Sequence, residues 1–299
     1  MSLPKSERML RDYLESLRVR GLSPATVVSR SSCVSAFLLR LEKKDVRAVT
    51  RADVQAYAAS LLSSRLTEGT VCVHLTALRS FFAWLETRDT VLVNPCVGVP
   101  LPKLLDRLPR CVLTREEVAR VLAQPNPETH QGKRDRAMLE LLYSSGLRRA
   151  EMTALAIYDL DLSNGLVRVN CGKGGRGRLV PLGATAAEAL RVYIDTRRVW
   201  LERCGRTENA LWLSPVQPHG PLKIEAVALV VRRCAQRAGV QASVHAWRHT
   251  CATHLMRDGA AVVYVQRLLG HRSLATTQVY TRVSPNDVRA TVQTAHPRP

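Results

Sequence analysis

Apolar residues recur at helical spacing through most of this chain. In the first hundred residues the pattern predicts four helices and no strand. Met9, Leu10, Tyr13, Leu14 and Leu17 form one stripe over Lys5–Val19, which Gly21 ends. Ser23 followed by Pro24 is an N-cap with proline at the first helical position, and predicts a second helix to about Leu41. Thr50 caps a third, through Val54, Tyr57, Ala58 and Leu61, and Thr67 opens a fourth, whose Val71, Leu75, Leu78, Phe81, Phe82 and Leu85 make a wide apolar face. The Phe-Phe-x-Trp run within it is expected to be core rather than a surface for stacking bases. From Asn94 to Arg110 four prolines and a glycine interrupt the periodicity, which predicts extended backbone and a linker.

Past the linker the pattern changes. Thr114-x-x-Glu117 is a capping box for a helix toward Leu122, and Lys133–Ser144 carries Ala137, Met138, Leu141 and Leu142 on one face. Alternation then predicts short strands near Leu166–Asn170 and Arg178–Leu182, joined by a glycine-rich loop, with a further brief strand at Ala210–Ser214. Helices return over Thr185–Glu202, opened by a second capping box at Thr185-x-x-Glu188, and over Lys223–Gly239. Short helical segments follow from Val244, and a last one is expected at Pro285–Thr294. The expected fold is mainly α: a four-helix N-terminal domain over 1–93, a linker over 94–112, and a mostly helical C-terminal domain over 113–299 with a small antiparallel β-sheet.

Charge sharpens this picture. The chain of 299 residues has 44 Lys+Arg against 25 Asp+Glu, a net +19, divided as +7 over residues 1–110 and +12 over 111–299. A basic tail is thereby excluded, and two basic bodies gripping a long polyanion is the better reading. The eight cysteines include no C-x-x-C pair, which suggests reduced thiols filling the core. No apolar run approaches the roughly 20 residues that span a bilayer, and no targeting segment is visible, so the cytoplasm is expected.

Candidate chemistry concentrates in the second half. In Tyr143-Ser-Ser-Gly-Leu-Arg-Arg-Ala-Glu151 a glycine ends one helix and Arg148 opens the next, where backbone N–H groups already favour an anion; Glu151, one turn on, can orient it. Taken alone this is more readily a surface helix with a local Arg–Glu pair. Gly172-Lys173-Gly174-Gly175 is a strand-to-strand turn whose lysine can swing to a ligand or stay solvated; it lacks the G-x-x-x-x-G-K-[ST] pattern of a P-loop. His245 and Arg248 are three apart, one turn from each other on a helix face. Gly270-His271 closes the next helix and Tyr280 follows. His245, His249, His254 and His271 have no H-E-x-x-H pattern and no carboxylate between the first two, so no metal site is expected. Histidine and arginine can donate to a tetrahedral anion, and a tyrosine hydroxyl can attack it.

Taken in order, G-L-R-x-x-E at Arg148, G-K-G-G at Lys173, H-A-W-R-H at 245–249, L-G-H at 269–271 and Tyr280 resemble the tyrosine recombinase (phage integrase) family, with the Xer-like architecture. Trp247 stands where many members carry leucine, an exchange expected to alter packing rather than chemistry. The resemblance implies an N-terminal SAM-like core-binding domain and a C-terminal catalytic domain with an exchange tail, clamped around double-stranded DNA. It also implies site-specific recombination with Arg148, Lys173, His245, Arg248, His271 and Tyr280 as catalytic residues and Glu151 supporting Arg148. Arg149, Arg176 and Arg178 are expected as DNA contacts, with no cofactor and no metal. The implied assembly is a homo-tetramer on a specific DNA site, or a hetero-tetramer with a paralogous recombinase, on the bacterial nucleoid and in some members serving a mobile element. Two alternatives stay open at this point. One is relaxation of supercoils in the manner of a type IB topoisomerase, and the other is a non-catalytic DNA-binding accessory protein.

Overall fold

The computed structural model describes residues 5–41, 45–102, 112–170, 177–215 and 220–270. The chain divides into two units, Met1–Arg107 and Leu108–Pro299.

The first unit is built from α1 (Lys5–Val19), α2 (Pro24–Arg40), α3 (Arg51–Ser63) and α4 (Glu68–Glu86). Each start follows from its cap. Ser23 Oγ accepts from the Thr26 amide, and Thr50 and Asp53 exchange side-chain and backbone hydrogen bonds in a full capping box. A 3-10 turn at Val46–Ala48, capped by Asp45, is an element the periodicity does not reveal. Tyr13, Leu17, Phe37, Tyr57, Phe81 and Phe82 fill the core, and the Phe81 and Phe82 rings meet edge to face at 5.4 Å. The Phe-Phe-x-Trp run is therefore core, as its spacing implied.

The start of the expected linker behaves differently. Asn94, Cys96 and Val99 are buried in this same unit. Asn94 Nδ2 donates to the Arg79 carbonyl at 3.2 Å, its amide donates to Glu86 Oε1 at 3.0 Å, and the Arg79 guanidinium donates to the Val99 carbonyl. Proline enforces an extended backbone there, but an extended backbone can lie on a core as readily as leave it.

The second unit contains α5 (Arg115–Leu122), α6 (His130–Ser145) and α7 (Arg149–Thr153), then β1 (Leu160–Asp161), β2 (Leu166–Val169) and β3 (Arg178–Pro181). It closes with α8 (Ala184–Arg203), α9 (Ile224–Arg237), α10 (Val244–Arg257) and α11 (Val262–Leu269). The strands form an antiparallel sheet in the order β1-β2-β3, with Val167 opposite Val180 and Val169 opposite Arg178. Val167, Val169 and Val180 join Met138, Leu142, Trp212 and Trp247 in the core.

Two expectations shift. Helix α8 is capped by Gly183, whose amide donates to Ser144 Oγ at 2.7 Å, so Thr185 lies inside the helix and no side chain caps it. Ala210–Ser214 forms only single bridges, Ala156 to Ala210 and Leu213 to Pro221, rather than a strand. The expected helix at Pro285–Thr294 lies outside the described residues. Among the described residues the cysteines are free thiols, and no helix is long and apolar enough to cross a membrane.

Candidate active site

Helix α6 ends at Gly146, which takes a left-handed φ of +57°. A β-carbon there would come within 2.7 Å of Leu269 Cδ2, so glycine allows the ends of α6 and α11 to touch. The chain then turns, placing Arg148 at the N-cap position of α7 and Glu151 one turn later. Glu151 is almost wholly buried. Its Oε2 accepts from the Arg148 amide at 2.9 Å and its Oε1 from Arg148 Nη1 at 2.8 Å. The G-L-R-x-x-E spacing thus does what it implied: the carboxylate fixes the direction of the arginine.

Helix α10 is capped by Ser243 and brings His245 and Arg248 to the same region. Arg248 is buried, and it donates from Nη1 to the Gly146 carbonyl at 2.6 Å and from Nη2 to the Leu269 carbonyl at 2.6 Å. Arg148 Nη2 donates to the next carbonyl, Gly270, at 3.2 Å. Arg178, on β3, donates from Nε to the preceding one, Leu268, at 3.0 Å. The last carbonyls of α11 have no acceptor role within the helix and sit at its negative end, so guanidinium groups are suitable partners. Three arginines from three elements converge on three successive carbonyls.

Against those three positive charges stands one buried carboxylate. Burial pushes Glu151 up, but hydrogen bonds from the Arg178 side chain and the Arg148 amide, with the Arg178 charge, overcome it and hold the carboxyl at about 2. Glu151 is therefore ionised at neutral pH and the cluster keeps an excess of positive charge. Arg148, with its side chain 37% exposed, is the part of that excess open to a ligand.

Two histidines stand in T-shaped contact beside the arginines, the His245 and His249 rings 4.3 Å apart and at 86°. Partial burial and the charges of Arg248 and Arg148 lower the pKa of His245. Burial, with the charges of His245 and Arg248, takes His249 to about 4. A neutral His245 can accept a proton, which a protonated one cannot. Trp247, between them, is fully buried and packs edge to face on Tyr143 at 6.0 Å, which answers to the expected packing role.

Of the residues expected at the site, Arg148, Glu151, His245 and Arg248 come together here. Arg149 is exposed on α7. Arg178 turns inward, with a fork to Glu151 and a bond to α11. Lys173, Arg176, His271 and Tyr280 lie outside the described residues, although Gly270, which the cluster grips, directly precedes His271.

The periodicity gave no sign of a second layer around α10. Tyr143 Oη and His254 Nδ1 are 2.8 Å apart, joining α6 to α10. The Leu113 amide donates to Thr250 Oγ1 at 3.0 Å, tying the chain's entry into this unit to the same helix. These partners are more than a hundred residues apart in sequence, and no local pattern encodes them. Arg178 did leave a signal. It lies two residues before buried Val180 on a strand, and alternation puts both on the inner face.

Sequence comparison agrees with this geometry. Residues 111–287 match the phage integrase family, and residues 9–91 match the phage integrase N-terminal SAM-like domain. A tyrosine recombinase XerC 2 from Ralstonia nicotianae is 38% identical over 97% of this chain and 86% of its own length. The structure of the XerH site-specific recombinase bound to a palindromic difH substrate superimposes with a TM-score of 0.74, at 20% identity over 97% of this chain and 85% of that one. A lambda integrase tetramer bound to a Holliday junction gives a TM-score of 0.70 at 19% identity, covering 92% and 76% respectively. At such identities the structural likenesses speak to the fold, while the sequence matches speak to descent. The family matches and this relative together place the chain in the phage integrase family, as a tyrosine recombinase of Xer-like architecture.

Proposed function

We propose that this protein recombines DNA at a specific site by a transient protein–DNA link through Tyr280. Arg148 and Arg248 hold the non-bridging oxygens of the scissile phosphate, because guanidinium forks suit tetrahedral anions. They also stabilise the charge that builds as phosphorus becomes five-coordinate; one such contact is worth a few kcal/mol, roughly 3 in comparable sites. The Tyr280 oxygen attacks phosphorus, and the bond to the 5′-oxygen breaks. His245 assists removal of the tyrosine proton, Lys173 protonates the departing oxygen, and His271 hydrogen-bonds the phosphate. One phosphodiester becomes one 3′-phosphotyrosine and a free 5′-hydroxyl. The bond energy is conserved, so the exchange calls for neither a metal nor ATP.

In this reading residues 1–93 are a DNA-binding domain, 94–112 a linker and 113–299 the catalytic domain. Four protomers act on two DNA sites through a Holliday junction, in the bacterial cytoplasm on the nucleoid. The lambda integrase tetramer on a junction supports the count of four. Two of the four are a paralogous recombinase if the target has two unlike half-sites.

The observation that carries the reading is the meeting of Arg148 and Arg248, from separate helices, at the carbonyls that lead into His271. Covalent trapping tests it. The protein is incubated with nicked duplexes bearing candidate sites from its own genomic neighbourhood and run on a denaturing gel. A 3′-linked adduct that vanishes in Tyr280→Phe is the expected result. Relaxation of plasmid supercoils without two-site recombination would favour the topoisomerase reading. Tight DNA binding with no adduct on any nicked site would favour an accessory protein.

A further inference from the structure

We infer that Arg178 is a positioning residue for the strand-cleavage reaction rather than a DNA contact: it holds Glu151 from the side opposite Arg148 and clamps the end of α11. This rests on the recombinase reading above.

Arg178 differs from the two arginines assigned to the phosphate in pairing with a carboxylate through both terminal nitrogens, which offsets the charge a DNA phosphate would draw on. The Arg178 side chain is only 14% exposed, and every nitrogen of its guanidinium is engaged inside the protein. Nη1 and Nη2 donate to Glu151 Oε1 and Oε2, each at 2.9 Å, and Nε donates to the Leu268 carbonyl. A two-pronged fork of this kind fixes a carboxylate in rotation as well as position. Oε1 is shared, since it also accepts from Arg148 Nη1, so the direction of Arg148 depends on where Arg178 holds the carboxylate.

The same guanidinium lies flat against Gly270. A β-carbon at that residue would sit 3.1 Å from Arg178 Nη1 and 3.2 Å from its Cζ, and Gly270 has a left-handed φ of +65°. Gly270, at the end of α11, thus meets the Arg178 fork with no side chain between. One residue on β3 orients the arginine on α7 and seats the helix end that also receives Arg248. Remove the fork and Glu151 keeps a single guanidinium partner, Arg148, which is then free to fold down onto it and away from a ligand.

The test compares Arg178→Met, Arg178→Lys and Glu151→Gln with the wild type in single-turnover adduct formation on a nicked duplex at saturating DNA. Affinity for the same duplex is measured separately by fluorescence anisotropy, at a temperature well below each variant's melting point. Arg178→Met is expected to slow adduct formation by about 30-fold or more while Kd stays within about threefold. Arg178→Lys keeps the charge without the fork and is expected to recover stability but not rate. If Arg178→Met does not fold, Arg178→Lys carries the test, with about a tenfold slower rate at unchanged Kd. In the double variant, the Arg178→Met and Glu151→Gln losses are expected to overlap rather than multiply.

A weaker Kd with an unchanged saturated rate would make Arg178 a DNA contact and overturn the inference. So would full activity in Arg178→Lys, or multiplicative losses in the double variant. A wild type that forms no adduct overturns the recombinase reading instead. Hydrogen exchange of the α11 amides then decides the role of Arg178. At least about tenfold faster opening is expected in Arg178→Lys or Arg178→Met than in Arg203→Met, an exposed charge loss on α8, and equal exchange overturns the clamp.

Discussion

Glu151 shows how one side chain sets the electrostatics of the site. Its folded pKa of about 2 lies below the ordinary carboxylate value of 4.5, so its contribution to stability is complete above about pH 4.5 and disappears as pH falls toward 2. Glu151→Gln should therefore cost roughly 3 kcal/mol at pH 7 and make stability between about pH 5 and 2 less dependent on acid; urea titrations at several pH values check both. His245 has the opposite sense. Its pKa is lowered below 6.5, so the ring is neutral at pH 7 and gains its proton only under more acidic conditions. Adduct formation should then fall on acidification, along a limb more acidic than that of an ordinary histidine, and His245→Asn should remove that limb from the rate profile. At this scale Arg148 and Glu151 were legible because three residues separate them on one helical turn. The Arg178 fork was not, because its partners lie 27 and 90 residues away and its own strand is four residues long.

Among the elements, caps and glycines carry the information. Ser23, Thr50, Thr67 and Thr114 were readable as helix starts, and each side chain accepts the expected backbone N–H. Thr185 misled because its capping pattern falls one residue inside a helix that Gly183 has already begun. The two-residue strand β1 and the 3-10 turn at Val46 are too short to produce a period. Gly132, in the first turn of α6, is a sharper case. A β-carbon there would lie 1.7 Å from the Asn126 carbonyl oxygen, so the preceding turn would have to move. Gly132→Ala is expected to destabilise the protein by roughly 2 kcal/mol or more, read as a lower denaturation midpoint. Gly146→Ala should act on chemistry as well. It adds strain at a positive φ and pushes on Leu269, shifting two of the groups that hold Arg248, so adduct formation should slow beyond what its loss of stability explains.

For the whole molecule, the positive charge carried by both parts of the chain predicts a polyelectrolyte response. Affinity for duplex DNA should fall at least about 100-fold between about 50 and 200 mM salt, linearly on logarithmic axes, and a truncate lacking residues 1–93 should show a shallower slope. Titration of each form at several salt concentrations checks this. Composition made that behaviour legible, and the order of motifs made the family legible, since neither depends on contacts. The packing of Asn94–Val99 onto the first core and the Tyr143–His254 and Leu113–Thr250 bonds were hidden, because each joins segments whose proximity only the folded chain creates.

The grip on α11 has a further consequence for how this protein varies. The three arginines touch Leu268, Leu269 and Gly270 through main-chain oxygens, groups that every amino acid possesses. A survey that replaces side chains one at a time would assign the two leucines to packing and miss these bonds. Replacing the peptide bonds that carry those oxygens with esters, which weakens the carbonyl as an acceptor and leaves the side chains intact, is the substitution to which this site should respond. The attachment can therefore survive an exchange of one apolar side chain for another at 268 or 269, while Gly270 stays bound to glycine by its positive φ and the guanidinium against it.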